Sequence, residues 1–319
     1  MKVKFIIPLP DTNYYLWQAI VQMNNFKKWG YEVDTHYLIG VVYGTPNPHA
    51  LDMANSPEVK AKVHLYIDER EGQEKAYSAS LKPYLMYRYF KDNPWEKDCA
   101  YVYLDADVIF LEAFDFTPYL NDDIWYGSDV GSYINSGYIK QKGGDELLKD
   151  FTEHAGVTPE LITANDDNCI GAQYITKNNI PEYWFDVYKK SAETYNYMNS
   201  RQNYYFKSEM IYWLQIWTME MWLTIWELWR IGVQTEHTED WEFHWANHMV
   251  KDRKHKIYHN AGIAEQDQTK TEHFAKRAYE NKTPFNNPLV DIVSKDSLSY
   301  MYVTEIKESE KNYPSLVWD

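Results

Sequence analysis

Apolar and polar positions change period along the chain, and the changes mark its elements. Lys2–Leu9 is a mostly apolar run punctuated by Pro8 and Pro10, the pattern of a central parallel strand whose C-terminal end opens into a loop. From Asn13 to Gly30 the spacing becomes helical, with Leu16, Ile20, Met23, Phe26 and Trp29 recurring before a glycine stop. Val33–Val42 predicts a second strand, His64–Ile67 a short third, and Lys82–Phe90 a helix with a tyrosine-rich face. The order is a β-α-β-α alternation with the short third strand placed before the last helix. Ligands gather at the C-terminal ends of parallel strands, which makes Pro8 a candidate cofactor contact.

Ala100–Phe110 is a strongly β-forming run interrupted by aspartates at 105 and 107. Beyond it, Ile134–Ile139 predicts a strand with a tight polar turn, and Asp167–Tyr174 a polar turn entering a short segment. Trp184–Asn199 predicts a helix. Met210–Trp229 is the one stretch resembling a membrane span, but Gln215, Glu220 and Glu227 interrupt it. Two glutamates in a lone span would cost about 5 kcal/mol on insertion, so a buried helix is expected. Its tryptophans at 213, 217, 222, 226 and 229 follow helical steps and read mainly as core, with one or two left for an acceptor cleft.

Composition narrows the class. With 319 residues, 45% hydrophobic and 25% charged, the chain is globular. We read it as one α/β domain over 1–319, a mostly parallel sheet followed by a helical, aromatic-rich C-terminal part. Residues 1–140 form its sheet-rich half and 141–319 its helical half and tail. The opening hydrophobic run is too short for a signal peptide, and two cysteines cannot build a disulfide scaffold. A cytoplasmic location without membrane attachment is the expectation. A formal charge of −15 disfavours non-specific nucleic-acid binding. Lys251, Arg253, Lys254 and Lys256 form one compact basic cluster, which reads as a solvated loop or a local phosphate contact.

In Asp105-Ala106-Asp107, strand alternation would send both carboxylates to one side where an apolar strand ends. Carboxylates so placed suit magnesium or manganese, which prefer oxygen ligands and can bridge to a diphosphate. The same tripeptide also occurs as a solvated loop or cap. Paired aspartates equally serve nucleotidyl transfer or phosphodiester hydrolysis, but no further carboxylate group or glycine-rich phosphate loop is arranged here.

The Tyr-Val-Tyr-Leu-Asp-Ala-Asp run resembles glycosyltransferases of the GT-A fold. Gly171-Ala172-Gln173-Tyr174, Trp217–Trp222, Trp226–Trp229, Ile257–Gly262, Thr283-Pro284-Phe285 and Tyr302-Val303 follow in an order similar to the hydroxyproline O-arabinosyltransferase and peptidyl-serine galactosyltransferase family. The resemblance covers most of 100–305. Glu220 stands where that family usually has aspartate, and the family's Golgi membrane anchor is not expected in this chain. The resemblance implies a Rossmann-like GT-A fold, with 1–140 as the nucleotide-sugar-binding half and 141–319 as the acceptor-side half, and a retaining, UDP-sugar-dependent transfer, with arabinose first and galactose second as the sugar. It also implies a manganese or magnesium ion held by Asp107, Asp105 and His259, with Asp105 shared with the donor ribose.

His259 has a second reading, as a histidine donating to a backbone carbonyl. Glu220, on an apolar helix, is either a paired core charge or a group that binds the acceptor or takes its proton. Asn135, Ser136, Asp167, Asn168 and Gln173 suit sugar hydroxyls as well as ordinary turns. Of these, Asp167 and Gln173 join Glu220 as candidate catalytic residues. Lys82 is a candidate for a donor phosphate, or simply solvated. The acceptor is a hydroxyl. High Asn, Lys and Tyr usage suits a bacterial virus, some of which glycosylate hydroxymethylated pyrimidines, so hydroxymethylcytosine in viral DNA is one expectation and a protein or saccharide the alternative. A non-catalytic nucleotide-sugar or carbohydrate-binding module is the rival class, and oligomeric state is left open.

Overall fold

The computed structural model describes all residues except 95, 97, 206–212, 264–271 and 319. Strands are β1 (Lys2–Pro10), β2 (Thr35–Val41), β3 (Lys62–Ile67), β4 (Cys99–Tyr103), β5 (Val108–Phe110), β6 (Trp125–Asp129), β7 (Ile170–Thr176), β8 (Thr235–His237), β9 (Phe243–Trp245) and β10 (Ile257–His259). The helices begin with α1 (Asn13–Trp29), α2 (Pro48–Asn55), α3 (Gly72–Ala76), α4 (Leu81–Asp92) and α5 (Gly131–Ile134). They continue with α6 (Ser136–Ala155), α7 (Pro159–Ala164), α8 (Pro181–Tyr205), α9 (Met219–Arg230) and α10 (Ser299–Asn312). The architecture is mixed α/β, with the main sheet ordered β3-β2-β1-β4-β7-β6-β8 and a smaller one ordered β5-β10-β9.

The chain forms two compact units that interleave in sequence. The first comprises Val3–Asp68, Val102–Phe116 and Glu239–Asp319; the second comprises Met1–Lys2, Glu69–Tyr101 and Thr117–Thr238. In the first unit β1, β2 and β3 are parallel, with Phe5 opposite Thr35 and His36 opposite Lys62. All seven residues of β2 are buried, as expected of a strand covered on both faces. α1 ends at Gly30 in the left-handed conformation (φ 78°), with Lys27 and Lys28 in its last turn, satisfying terminal carbonyls and the helix dipole. A polar stripe on α1, Gln18, Gln22 and Asn25, is buried, so this helix is not simply apolar inside and polar outside.

In the second unit β6 runs antiparallel to β7, with a register shift between Gly127 and Ser128, and parallel to β8. α8 packs on α4, α6 and α9. Trp222 and Trp226 are fully buried, stacked with centroids 6.0 Å apart, and each meets Phe151. No helix among the described residues is long and apolar enough to cross a membrane.

Three local expectations are corrected. Asp105-Ala106-Asp107 is a turn between β4 and β5, closed by the Val108 N–H donating to the Asp105 carbonyl at 3.2 Å. The Ile134–Ile139 segment is the junction of α5 and α6 rather than a strand, because the Asn135 side chain caps α6 by accepting the Tyr138 N–H at 2.7 Å. The helix expected over Met210–Trp229 starts at Met219, after a 3-10 turn at Ile216–Thr218; residues 210–212 lie outside the described residues.

Candidate metal centre

Two pairings build the centre in the first unit. β10 runs antiparallel to β5, which places His259 opposite Val108, the residue after Asp107. The Asn260 N–H donates to the Asp107 carbonyl at 3.0 Å, tying the two loops together. On the other side, the Leu104 N–H donates to Ile6 of β1 at 3.3 Å. The Gln22 amide then spans the turn from α1, donating to the Asp105 carbonyl at 2.8 Å and the Val108 carbonyl at 2.9 Å. The Asn25 side chain brackets Phe110, accepting its N–H at 2.8 Å and donating to its carbonyl at 3.0 Å. The buried amides of α1 therefore hold the acidic turn against a short strand that could not fix it alone.

Within this frame one ligand atom from each of Asp105, Asp107 and His259 lies within 4.8 Å of the other two. His259 Nε2 is 3.2 Å from Asp107 Oδ1 and 3.9 Å from Asp105 Oδ2. Asp107 and His259 are buried, at 3% and 7% exposure, whereas the Asp105 side chain is 25% exposed and offers the open side. Two carboxylates and one imidazole converging at this distance fit a small divalent cation such as manganese or magnesium. As for the alternative reading of His259 as a donor to a backbone carbonyl, its Nε2 faces the aspartates and its Nδ1 has no hydrogen-bond partner among the described residues.

Lys276, which sequence reasoning missed, completes the electrostatics by pairing its ammonium with Asp107 Oδ2. Burial pushes the Asp107 carboxyl up, but Lys276 and His259 outweigh it and hold the group well below the usual carboxylate range. Burial works against the Lys276 ammonium too, yet Asp107 reverses the balance and raises it. The Tyr14 hydroxyl beside the pair is pushed up to about 12, by burial first, with Lys276 opposing and Asp107 adding. Tyr14 is therefore neutral at physiological pH. No motif announces Lys276, whereas the 18, 22, 25 spacing of amides on α1 was a readable sign of a buried polar face.

Pro8, the other candidate in this unit, is buried in β1 opposite Leu38. The remaining candidates lie in the second unit. Ser136 donates both its backbone N–H, at 2.7 Å, and its hydroxyl to Asp166, which brings α6 to the 3-10 turn carrying Asp167 and Asn168. Asp167 is exposed; the Asn168 carbonyl accepts the Thr235 hydroxyl at 2.6 Å. Gln173 is fully buried, its amide 2.5 Å from the Ser128 hydroxyl. Lys82 is the second residue of α4 and half-buried. Glu220, 8% exposed, accepts the Tyr77 hydroxyl at 2.5 Å, and its own N–H donates to the Tyr77 oxygen at 3.0 Å. Burial first, then the Glu220 charge, pushes the Tyr77 hydroxyl well above its ordinary value.

In the basic cluster, Arg253 pairs with Glu112 at 2.7 Å and Lys256 with Asp240 at 3.7 Å. Of the tryptophans, 213, 222, 226 and 229 are buried and Trp217 is 65% exposed.

No protein-family model matches the chain, and no curated protein matches it. Among solved structures it is similar to the apo structure of the bifunctional glycosyltransferase WbbM, at 12% identity and a TM-score of 0.44, over 95% of this chain and 51% of that one. The chain thus spans about half the length of WbbM. It is also similar to the galactosyltransferase LgtC in complex with donor and acceptor sugar analogues, at 14% identity and a TM-score of 0.37, over 83% of this chain and 89% of that one. At such TM-scores the likeness decides neither the fold nor the chemistry.

Proposed function

We propose that the protein is a metal-dependent glycosyltransferase that moves a sugar from a nucleotide sugar, UDP-linked by preference, to a hydroxyl acceptor. The observation that carries this reading is the convergence of Asp105, Asp107 and His259 at the end of a mostly parallel α/β sheet, where a GT-A enzyme needs its cation.

In this reading Asp105, Asp107 and His259 hold manganese or magnesium. When bound, the ion acts as a Lewis acid that neutralises charge on the departing diphosphate. The protein supplies the rest. Gln22 fixes the turn, and Lys276 neutralises Asp107. Two carboxylates converge here with one imidazole, so a diphosphate is best received with a dication between it and these oxygens. Arabinose and then galactose remain the favoured sugars, with retention at the anomeric carbon. A protein or saccharide hydroxyl is favoured over a DNA base, because carboxylates already pair two of the four basic-cluster residues. The proposed chemistry is confined to the first unit; Glu220, Gln173 and Asp167 carry no step in it.

The test is nucleotide release from a panel of UDP-sugars with manganese, with hydroxylated peptides, saccharides and hydroxymethylated DNA offered in parallel. Release that needs both the metal and Asp107 supports the reading. A protein that binds the nucleotide sugar and manganese but turns over none of the panel is a binding module, and the proposal fails.

A further inference from the structure

Metal-binding histidines are ordinarily oriented by a hydrogen bond from the second ring nitrogen to a carboxylate, carbonyl or water. His259 departs from this. Its Nδ1 is buried and has no hydrogen-bond partner among the described residues. Something else must fix the ring, because an imidazole free to turn about χ2 would not keep Nε2 aimed at the two aspartates.

Its aromatic neighbours are placed to do so. β9 runs parallel to β10 with Trp245 directly opposite His259, so both side chains leave the sheet on the same face. The rings are nearly parallel, 16° apart, with centroids at 5.9 Å. Phe243, two residues earlier, meets the same imidazole at 5.4 Å and 48°, and packs on Trp245 at 4.6 Å and 64°. Gly262, at φ 89°, packs close against the indole; a Cβ there would come within 3.2 Å of Trp245 Cε3. The turn carrying Gly262 is joined to β9 by the Ala246 N–H donating to the Ala261 carbonyl at 3.1 Å. The Gly262 backbone thus crowds the same indole whose ring lies nearly parallel to the imidazole.

We propose that Trp245 is the positioning residue for His259, and that its aromatic face takes the place of the missing hydrogen bond in setting the metal ligand. The inference rests on the reading of Asp105, Asp107 and His259 as a metal centre. A flat aromatic side chain at 245 restricts the imidazole to one plane; an aliphatic one fills the space without doing so. Loss of an outer partner of a ligating histidine weakens metal binding roughly 10- to 100-fold.

The test titrates manganese into wild type, Trp245→Leu and Trp245→Phe, reading free ion by electron paramagnetic resonance, with thermal unfolding in EDTA to report folding. Trp245→Leu should bind about tenfold more weakly at the low end of that range, while Trp245→Phe recovers to within about threefold. Equal affinity in wild type and Trp245→Leu overturns the positioning role and leaves the metal centre standing. No manganese binding by wild type overturns both. Should Trp245→Leu fail to fold, the His259 ring-proton shifts of the metal-free wild type decide: upfield displacement by the indole supports the proposal, and ordinary histidine shifts overturn it.

Discussion

Each unit buries an acid that the sequence marks as costly, and the two acids are handled in opposite ways. In the second unit Glu227 is fully buried, with Lys190 at 2.6 Å on one oxygen and Arg230 at 2.7 Å on the other. Two cations and one carboxylate close the group off. In the first unit Asp107 has one cation, Lys276, and its other oxygen faces an imidazole and a second carboxylate across a space of ion size. Burial of a charge therefore does not mark a site by itself. What sets Asp107 apart from Glu227 is that a second carboxylate and an imidazole converge on its remaining oxygen.

The largest effect that separates the two follows from removing the carboxylate charge. Asp107→Asn should lower metal-dependent transfer about a thousandfold, roughly 4 kcal/mol of transition-state stabilisation, measured as kcat/KM for the best donor. The same assay on Glu227→Gln should change by less than about twofold, since that acid touches no reacting group. A comparable loss in both variants would erase the distinction.

Acid sensitivity should follow the same division. His49, His64, His244, His248 and His255, all in the first unit, titrate below the ordinary histidine value, with burial the first cause in each. His244 is lowered to about 4, burial leading and His255 and His248 adding. Its Nε2 accepts the Lys254 and His255 N–H groups at 2.9 Å each. Between about 4 and the unfolded value near 6.5 the unfolded chain binds more protons than the folded one, so stability falls as pH falls through that window. Urea midpoints from pH 7 to 4 should show a steeper decline in wild type than in His244→Gln.

Lys276→Met strands a buried carboxylate that cannot reach water, so it should destabilise the metal-free protein by about 3 kcal/mol, and manganese should recover most of the loss. Destabilisation that manganese does not relieve would place Lys276 outside the centre. Smaller still, Glu227→Gln should cost roughly 2 kcal/mol in urea unfolding, below the usual range for breaking a buried pair, because Lys190 and Arg230 are 29% and 37% exposed and can reach water.

Much of this was legible in the sequence, for identifiable reasons. β1, α1, β2, β3 and α4 follow from plain changes of hydrophobic period, and the aspartate pair from its place after Tyr-Val-Tyr-Leu. The geometry behind the pair was not legible: the carboxylates are presented by a turn clamped by Gln22, not by strand alternation. Ile134–Ile139 reads as a strand by apolarity, but the Asn135 cap and the bonds from Ser136 to Asp166 start a helix there. Lys276 lies 169 residues from Asp107 along the chain, and only the tertiary fold makes them neighbours. The interleaving of two units through β4 is likewise a long-range property that local patterns do not encode.

The central claim, that Asp105, Asp107 and His259 form a cation site serving a nucleotide sugar, is tested most directly by calorimetric titration of UDP into the protein with manganese and again with EDTA. The account predicts binding that appears only with the metal and is lost in Asp107→Asn. UDP binding of equal strength in EDTA, or manganese-dependent binding that survives in Asp107→Asn, would contradict it.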